Sequence, residues 1–447
     1  MSMRWAVLTA FAWVALASAA EPPADELPEG AKMSYLDNGK VRVGVDLNHG
    51  GAIVYLAPKG GRNLINNHDL GRQVQMSFYS GPVPYTEKGK APSEHWKGLG
   101  WNPIQTGDDH RNPSKVIAHE NDGKTLHVAC IPMQWPLDNV PGECTFDSWI
   151  QLEETSVKVR ARLTNARSDR TLYPARQQEL PALYANGAFF RVISYVGTRP
   201  FSGEPVTEQP KSKTKHPWVN WQATENWSAL LDASDEGIGL ITPGRTDHTG
   251  GFAGKPGPNL TRGNATGYLG GQGFELLDHD IRYDYAYELI VGNLRAIRAR
   301  AQAVAEARGR ALPAWTFAAD RQGWHYGRGI DAGWPIRGEL DLRPDGKTPF
   351  RALSPLTFWQ ADQAGSATIE AAFGGEGAKA TLTLVKHPLN ADGADVQLPL
   401  PIQADGQMRR YVIPLAKPGY TGAYSRVTLT LSPQTTTARV KSVELTK

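Results

Sequence analysis

GKVRVGVDLNHGGAIVYL, residues 39 to 56, decides the fold. Val41, Val43 and Val45 alternate with Arg42 and Gly44, the period of a half-buried strand. The turn-forming LNHGG follows, and a second apolar run begins at Ala52. A strand, a turn and a strand at this spacing specify antiparallel neighbours rather than a strand feeding a helix. The same grammar recurs as far as Asn293. VQMSFY, TLHVACIPM, FDSWIQLEE, SVKVRARLTN, FRVISYV, WSALLDA, GIGLITP and YAYELIVG alternate or run apolar, separated by turns such as DNGK, NDGK and DASDEG. These strands are too many for one small sandwich, so two large antiparallel sheets packed face to face are expected over residues 30–293.

LRAIRARAQAVAEARGR, residues 294–310, breaks this habit. Leu294, Ile297 and Val304 share one helical face, and Gly309 and Pro313 stop the element. A connecting helix with a solvated basic face is expected. Residues 311–447 return to strands. ATIEAAFGG, KATLTLVK, DVQLPLPI, MRRYVIPLA, RVTLTLS and RVKSVELT have the size and rhythm of a single smaller β-sandwich. Its Trp359, Tyr411, Tyr420 and Tyr424 read as core aromatics more readily than as sugar binders. The Gly- and Trp-rich segment 321–342 is expected to pack between the two β regions. The fold class is therefore all-β: a large two-sheet sandwich, a connecting helix and a C-terminal β-sandwich.

Residues 1–20 read as a signal peptide. Arg4 is the positive region, Trp5–Leu16 the short apolar core, and Ala17-Ser18-Ala19 the cleavage site. No other apolar run reaches the roughly 20 residues of a membrane span. A secreted or periplasmic location follows as an expectation. With 48 basic and 45 acidic residues the charge is nearly balanced, which argues against a nucleic-acid partner. The 13 Trp, with 46 Gly and 32 Pro, suit a turn-rich protein that offers indole faces to sugar rings. The only cysteines, Cys130 and Cys144, are expected to form a disulfide in an oxidising compartment. No cofactor, zinc spacing or DxDxDG calcium run is present in the sequence.

Five polar stretches could carry chemistry. NNHDLGRQVQMSFYSGP (66–82) places His68, Asp69, Arg72, Gln73, Gln75 and Tyr79 around a strand. GLGWNPIQTGDDHRN (98–112) holds Trp101, Asn102, Gln105, Asp108, Asp109 and His110. YPARQQELPALY (173–184) holds Arg176, Gln177, Gln178 and Glu179. HPWVNWQATENWSALL (216–231) holds Trp218, Trp221, Glu225 and Trp227, and RTDHTGGFAGKPG holds His248 in a loop. Amides and guanidinium groups beside acids suit sugar hydroxyls, which need donors and acceptors in fixed directions.

GKVRVGVDLNHGGAIVYL and WSALLDASDEGIGLITPG together resemble the opening strand and later hairpin of galactose-mutarotase-like β-supersandwich domains. WHYGRGIDAGWPIRGEL and the strands after it resemble the accessory sandwiches of carbohydrate-active proteins. The resemblance implies a sugar-sized cleft on one sheet, with acid–base partners in it. The family's histidine element is met only by NHGG at Asn48-His49, on the first turn, so mutarotase activity does not carry over.

An oligo- or polysaccharide is thus the expected partner and glycoside hydrolysis the expected reaction, with a carboxyl pair flanking the bond. Glu179 reads as the general acid and Asp69 as base or nucleophile, with Glu225 and Asp108 as substitutes and His68 assisting. Arg72, Gln75, Asn102, Arg176, Gln178 and His248 read as substrate-binding residues, and Trp101, Trp218 and Trp221 as stacking platforms. Two rivals use the same residues. One is a polysaccharide lyase in which Arg72, Arg176 and Gln75 hold a uronate while His68 or Tyr79 takes the proton. The other is a glycan-binding protein without turnover.

Overall fold

The computed structural model describes residues 26–214, 216–257, 261–309, 311–389 and 395–447, so the leader read in residues 1–20 lies outside them. Among the described residues the strands form four antiparallel sheets of ten, nine, six and six strands. The ten-stranded sheet runs Met33–Asp37, Val41–Asp46, Ala52–Pro58, Val74–Ser77, Arg176–Asn186, Thr266–Glu275, Asp247–Ala253, Val219–Gln222, with two short strands at its side. It packs on the nine-stranded sheet through Val43, Val45, Ile53, Val74, Met76, Leu180, Leu183 and Leu269 from one side. Val128, Phe146, Ile150, Leu163, Leu230 and Leu289 meet them from the other. Burying these side chains supplies the main driving force, about 1.5–3 kcal/mol for each large apolar residue.

The alternation that buries one face of each strand frees the other. Gln75 and Ser77 point away from the core that takes Val74 and Met76. On Arg176–Asn186 a register shift between Glu179 and Ala182 accommodates Pro181. It lets Leu180 and Leu183 both face the core while Glu179 and Tyr184 both face outward.

Leu294–Arg308 is the α-helix, capped by Asn293 and stopped at Gly309. Ile297 and Ala301 bury against the nine-stranded sheet, and Leu294 and Val304 pack beside them. Its basic residues are not simply solvated. Arg298 pairs with Glu225, and Arg300 with Glu288 and Glu153, because these carboxyls lie under the helix on or beside the sheet. No helix among the described residues is long and apolar enough to cross a membrane.

The two six-stranded sheets form the C-terminal sandwich around Phe317, Trp324, Trp359, Ile369, Phe373, Leu382, Tyr424 and Leu429. Trp359, Tyr411 and Tyr424 are buried in that core and Tyr420 packs on it. The sandwich is bolted to the large β region by a buried ion cluster. Arg321 donates to Asp278 of the large region at 2.6 Å and to both oxygens of Asp331 at 2.5 and 2.8 Å. The hydroxyl of Tyr326 also donates to Asp331. Ring stacking of Phe274 on His325, with centroids 5.2 Å apart, lies along the same seam.

Cys130 and Cys144 are buried as free thiols in the large core. Cys130 pairs with Phe146 across neighbouring strands, which sets Cys144 diagonally from it. Diagonal positions lie about 7–8 Å apart, beyond the usual reach of a disulfide. The expected bridge is therefore not formed, and burial pushes both thiols above their ordinary range.

Candidate active site

Residues directly opposite one another in an antiparallel sheet share a face. The pairings Ser77 to Glu179, Glu179 to Gln272 and Asp247 to Gln222, with Gln272 and Asp247 each one step beyond the paired Gly271 and His248, therefore draw one polar row over five strands of the outer face. Glu179 is its centre. The Tyr79 hydroxyl donates to Glu179 Oε2 at 2.8 Å, and the Tyr268 hydroxyl donates to Oε1. Both oxygens thus act as acceptors, the pattern of a base or nucleophile rather than the general acid expected from sequence. Burial first, and then the Glu179 charge, hold Tyr79 and Tyr268 well above the usual phenol range, so both remain donors.

An aromatic wall stands beside this carboxylate. Tyr184 and Tyr268 have ring centroids 4.7 Å apart, and Trp218 lies 4.8 Å from Tyr268 and 6.3 Å from Tyr184. Tyr184 and Trp218 are only half-buried, which leaves ring area for a sugar face. Among the described residues the Tyr184 hydroxyl has no hydrogen-bond partner. Glu179, Asp69 and Arg72 all act electrostatically on Tyr184, which places the 69–72 loop at the edge of the same site.

Asp247 is the second acid on this face. Adjacent strands lie about 4.8 Å apart, so two inter-strand steps, across Thr266–Glu275, put its backbone roughly 10 Å from that of Glu179. Burial lifts its carboxyl to about 6, against the opposing pull of Arg426 and Arg245. Gln272 lies between the two acids, is 3 % exposed, and has no side-chain hydrogen bond among the described residues. A Cβ on Gly270 would sit 2.7 Å from the Tyr268 hydroxyl and 2.9 Å from Gln272 Nε2. The glycine keeps open the gap on which these two donors converge.

The other residues singled out from sequence divide by what holds them. Asp69 accepts from the Gly71 amide and pairs with Arg72 at 3.2 Å. Arg72 also grips the Asn264 carbonyl and side-chain oxygens. His68 binds the Arg262 carbonyl at 2.9 Å. Gln75 is buried and shares its amide between Leu70 and Thr106, while Gln178 closes on the Tyr79 backbone. Arg176 donates to the carbonyls of Ser80, Leu99 and Gly98, which fastens the 98–101 turn beside Tyr79. Asn102 is buried and donates to the Phe78 carbonyl. Asp69, His68 and Arg72 hold the loop at the rim, and the other groups shape the site from behind, where loop carbonyls and amides need partners.

Five further residues have other roles than those expected from sequence. Glu225 is fully buried and is held by Arg298, the Trp227 indole N–H and the Phe201 amide beneath the helix. Trp101 and Trp221 are core residues rather than platforms. His248 lies in a strand, not a loop, and faces between the sheets, with Ser228 at 2.8 Å and Thr242 at 2.7 Å on its two ring nitrogens. Burial lowers it to about 3, so it stays neutral. Asp108 is a loop organiser that accepts from the His110, Asn112 and Asn139 amides. It approaches His110 and Asp138 at metal-like spacing, but these backbone bonds already employ both its oxygens.

No family model matches the chain, and no curated protein matches it in sequence. In structure, about 59% of it is similar to proteins of the galactose-mutarotase-like and aldose 1-epimerase fold. A galactose mutarotase-like protein from Lactobacillus casei aligns at 12% identity and TM-score 0.36, over 58% of this chain and all of its own. A galactose mutarotase related enzyme from Lactobacillus acidophilus aligns at 11% identity and TM-score 0.37, over 58% and 97%. A 4-alpha-glucanotransferase from Thermococcus litoralis aligns at 10% identity and TM-score 0.31, over 60% and 38%. Such identities and TM-scores leave the chemistry to this chain's own residues.

Proposed function

We propose that the protein is an exported carbohydrate-active enzyme that hydrolyses a glycosidic bond at the outer face of the ten-stranded sheet. Glu179 activates the attacking water, and Asp247 delivers the proton to the leaving oxygen. The observation that carries this reading is the contrast between the two acids. One is surrounded by phenol donors, and the other is held protonated to about pH 6 by burial. A backbone separation of roughly 10 Å leaves room for a water between the carboxyls, as inversion at the anomeric carbon requires. Tyr184 and Trp218 supply the stacking surface. Asp69 and Arg72 position the rim, and the Tyr79 and Tyr268 hydroxyls orient the base.

The test is incubation of the exported chain with a panel of neutral and acidic oligosaccharides, following new reducing ends and ultraviolet absorbance together. New reducing ends without an absorbance rise are expected, and Glu179→Gln and Asp247→Asn should each lower the rate at least about 100-fold. An absorbance rise would mean elimination by a lyase, and no turnover on any glycan would mean a binding protein. Either result overturns the proposal.

A further inference from the structure

Arg245, Asp247, Gln272, Phe274 and Glu275 from the large β region face Gly323, His325, Pro355, Leu356 and Arg426 from the C-terminal part across a small recess. Three polar groups meet there without protein partners. Gln272 is 97% buried by its 3 % exposure and has an amide that bonds to nothing among the described residues. Arg426 Nε is buried without an acceptor. Asp247 feels the Arg426 charge but forms no ion pair with it among the described residues. A desolvated guanidinium lacking an acceptor is costly to keep. Arg245, by contrast, is already neutralised by Glu275 at 3.3 Å and bonded to Tyr283.

We propose that this recess is a subsite for a carboxylate carried by the glycan, gripped by Arg426 and the Gln272 amide. The substrate class is then a uronate-containing saccharide. This rests on the reading of Glu179 and Asp247 above and extends it. The two-pronged guanidinium matches a planar carboxylate, and the Gln272 N–H supplies a further donor. A phosphate dianion is disfavoured because Asp247 and Glu275 face the same space. A ring lying over Gln272 would span Glu179 and Asp247, so a carboxylate on it reaches the C-terminal wall without leaving the reacting bond.

The test uses the full exported chain and the methyl glycosides of glucuronate, galacturonate and mannuronate, each against its neutral hexose counterpart and a sulfated one. Binding is measured by titration calorimetry at pH 5.5. At least one uronide should bind about tenfold or more tighter than its neutral partner, the gain from a charge-assisted hydrogen bond. Arg426→Gln should abolish that preference, leave neutral binding unchanged and hold or raise the melting temperature, since no Nε bond is broken and a costly desolvated charge is removed. A uronide bound no better than its neutral partner, a preference surviving in Arg426→Gln, or tighter binding of the sulfated sugar would each overturn the subsite. The two readings fail separately. Preference lost in Arg426→Gln but no turnover on any glycan would sink the hydrolase and keep the subsite. Glu179-dependent turnover whose ratio between acidic and neutral glycans is the same in Arg426→Gln as in the parent would sink the subsite alone.

Discussion

Asp247 and His248 are neighbours in sequence and opposites in environment. Strand alternation turns Asp247 toward the seam and His248 between the sheets, so one residue decides which can meet substrate. Burial favours the neutral form of both, raising the carboxyl to about 6 and lowering the imidazole to about 3. An acid that must hold its proton to act loses activity as pH rises through its own range. The rate constant kcat/KM should therefore fall tenfold per pH unit above about pH 6, and a pH–rate profile checks it. Asp247→Asn should erase that limb along with most of the rate. For stability the two groups oppose each other. The raised Asp247 favours the fold at low pH and loses this contribution as pH climbs through about 6. The lowered His248 contributes above its unfolded value and loses that contribution as pH falls through 6.5 toward 3. In the sequence His248 drew attention while Asp247 did not, because TDHT before two glycines reads as a turn. The glycines are there for another reason: a Cβ at Gly250 or Gly251 would strike the Tyr268 or Pro217 carbonyl.

The strand Thr266–Glu275, TGYLGGQGFE, shows why elements of this site escape a sequence reading. Tyr268, Gly270, Gln272 and Phe274 form its outer face, but four glycines hide the period of two behind a turn-like composition. The strands that packing alone determines, such as Val41–Asp46 and Ser156–Asn165, are legible from alternating apolar residues. RQQELPALY was legible as chemistry but not as geometry, since the bulge at Pro181 is what puts Glu179 and Tyr184 on one side. The helix gives the matching lesson in charge. Arg298 reads as a solvated residue, yet it is the partner of a fully buried Glu225. Arg298→Met should destabilise the protein by about 3 kcal/mol in urea unfolding, because it strands a buried carboxylate. Adding Glu225→Gln should recover part of that loss, and hydrogen exchange should show the helix opening first in the single variant.

Two β regions were readable from composition and rhythm, but how they meet was not, because the contacts come from positions far apart in the chain. Asp278, Arg321 and Asp331 are the clearest instance: one buried cation between two buried carboxyls. Removing it should cost about 3–5 kcal/mol. The sign with pH follows from the same burial. Asp278 is already raised by desolvation even with Arg321 present, so without it both carboxyls would keep protons longer in the folded state than in the unfolded one. Arg321→Met should therefore fall further below the parent in melting temperature at pH 8 than at pH 5. A gap that shrinks with rising pH would contradict this. The seam has a wider consequence, since His325 and Arg426 close the recess from the smaller sandwich. Homologous chains that keep Glu179 and its phenols could acquire new tastes by exchanging that terminal module, leaving the reacting centre untouched. Diversification here would proceed by replacing a wall, not by rebuilding the floor.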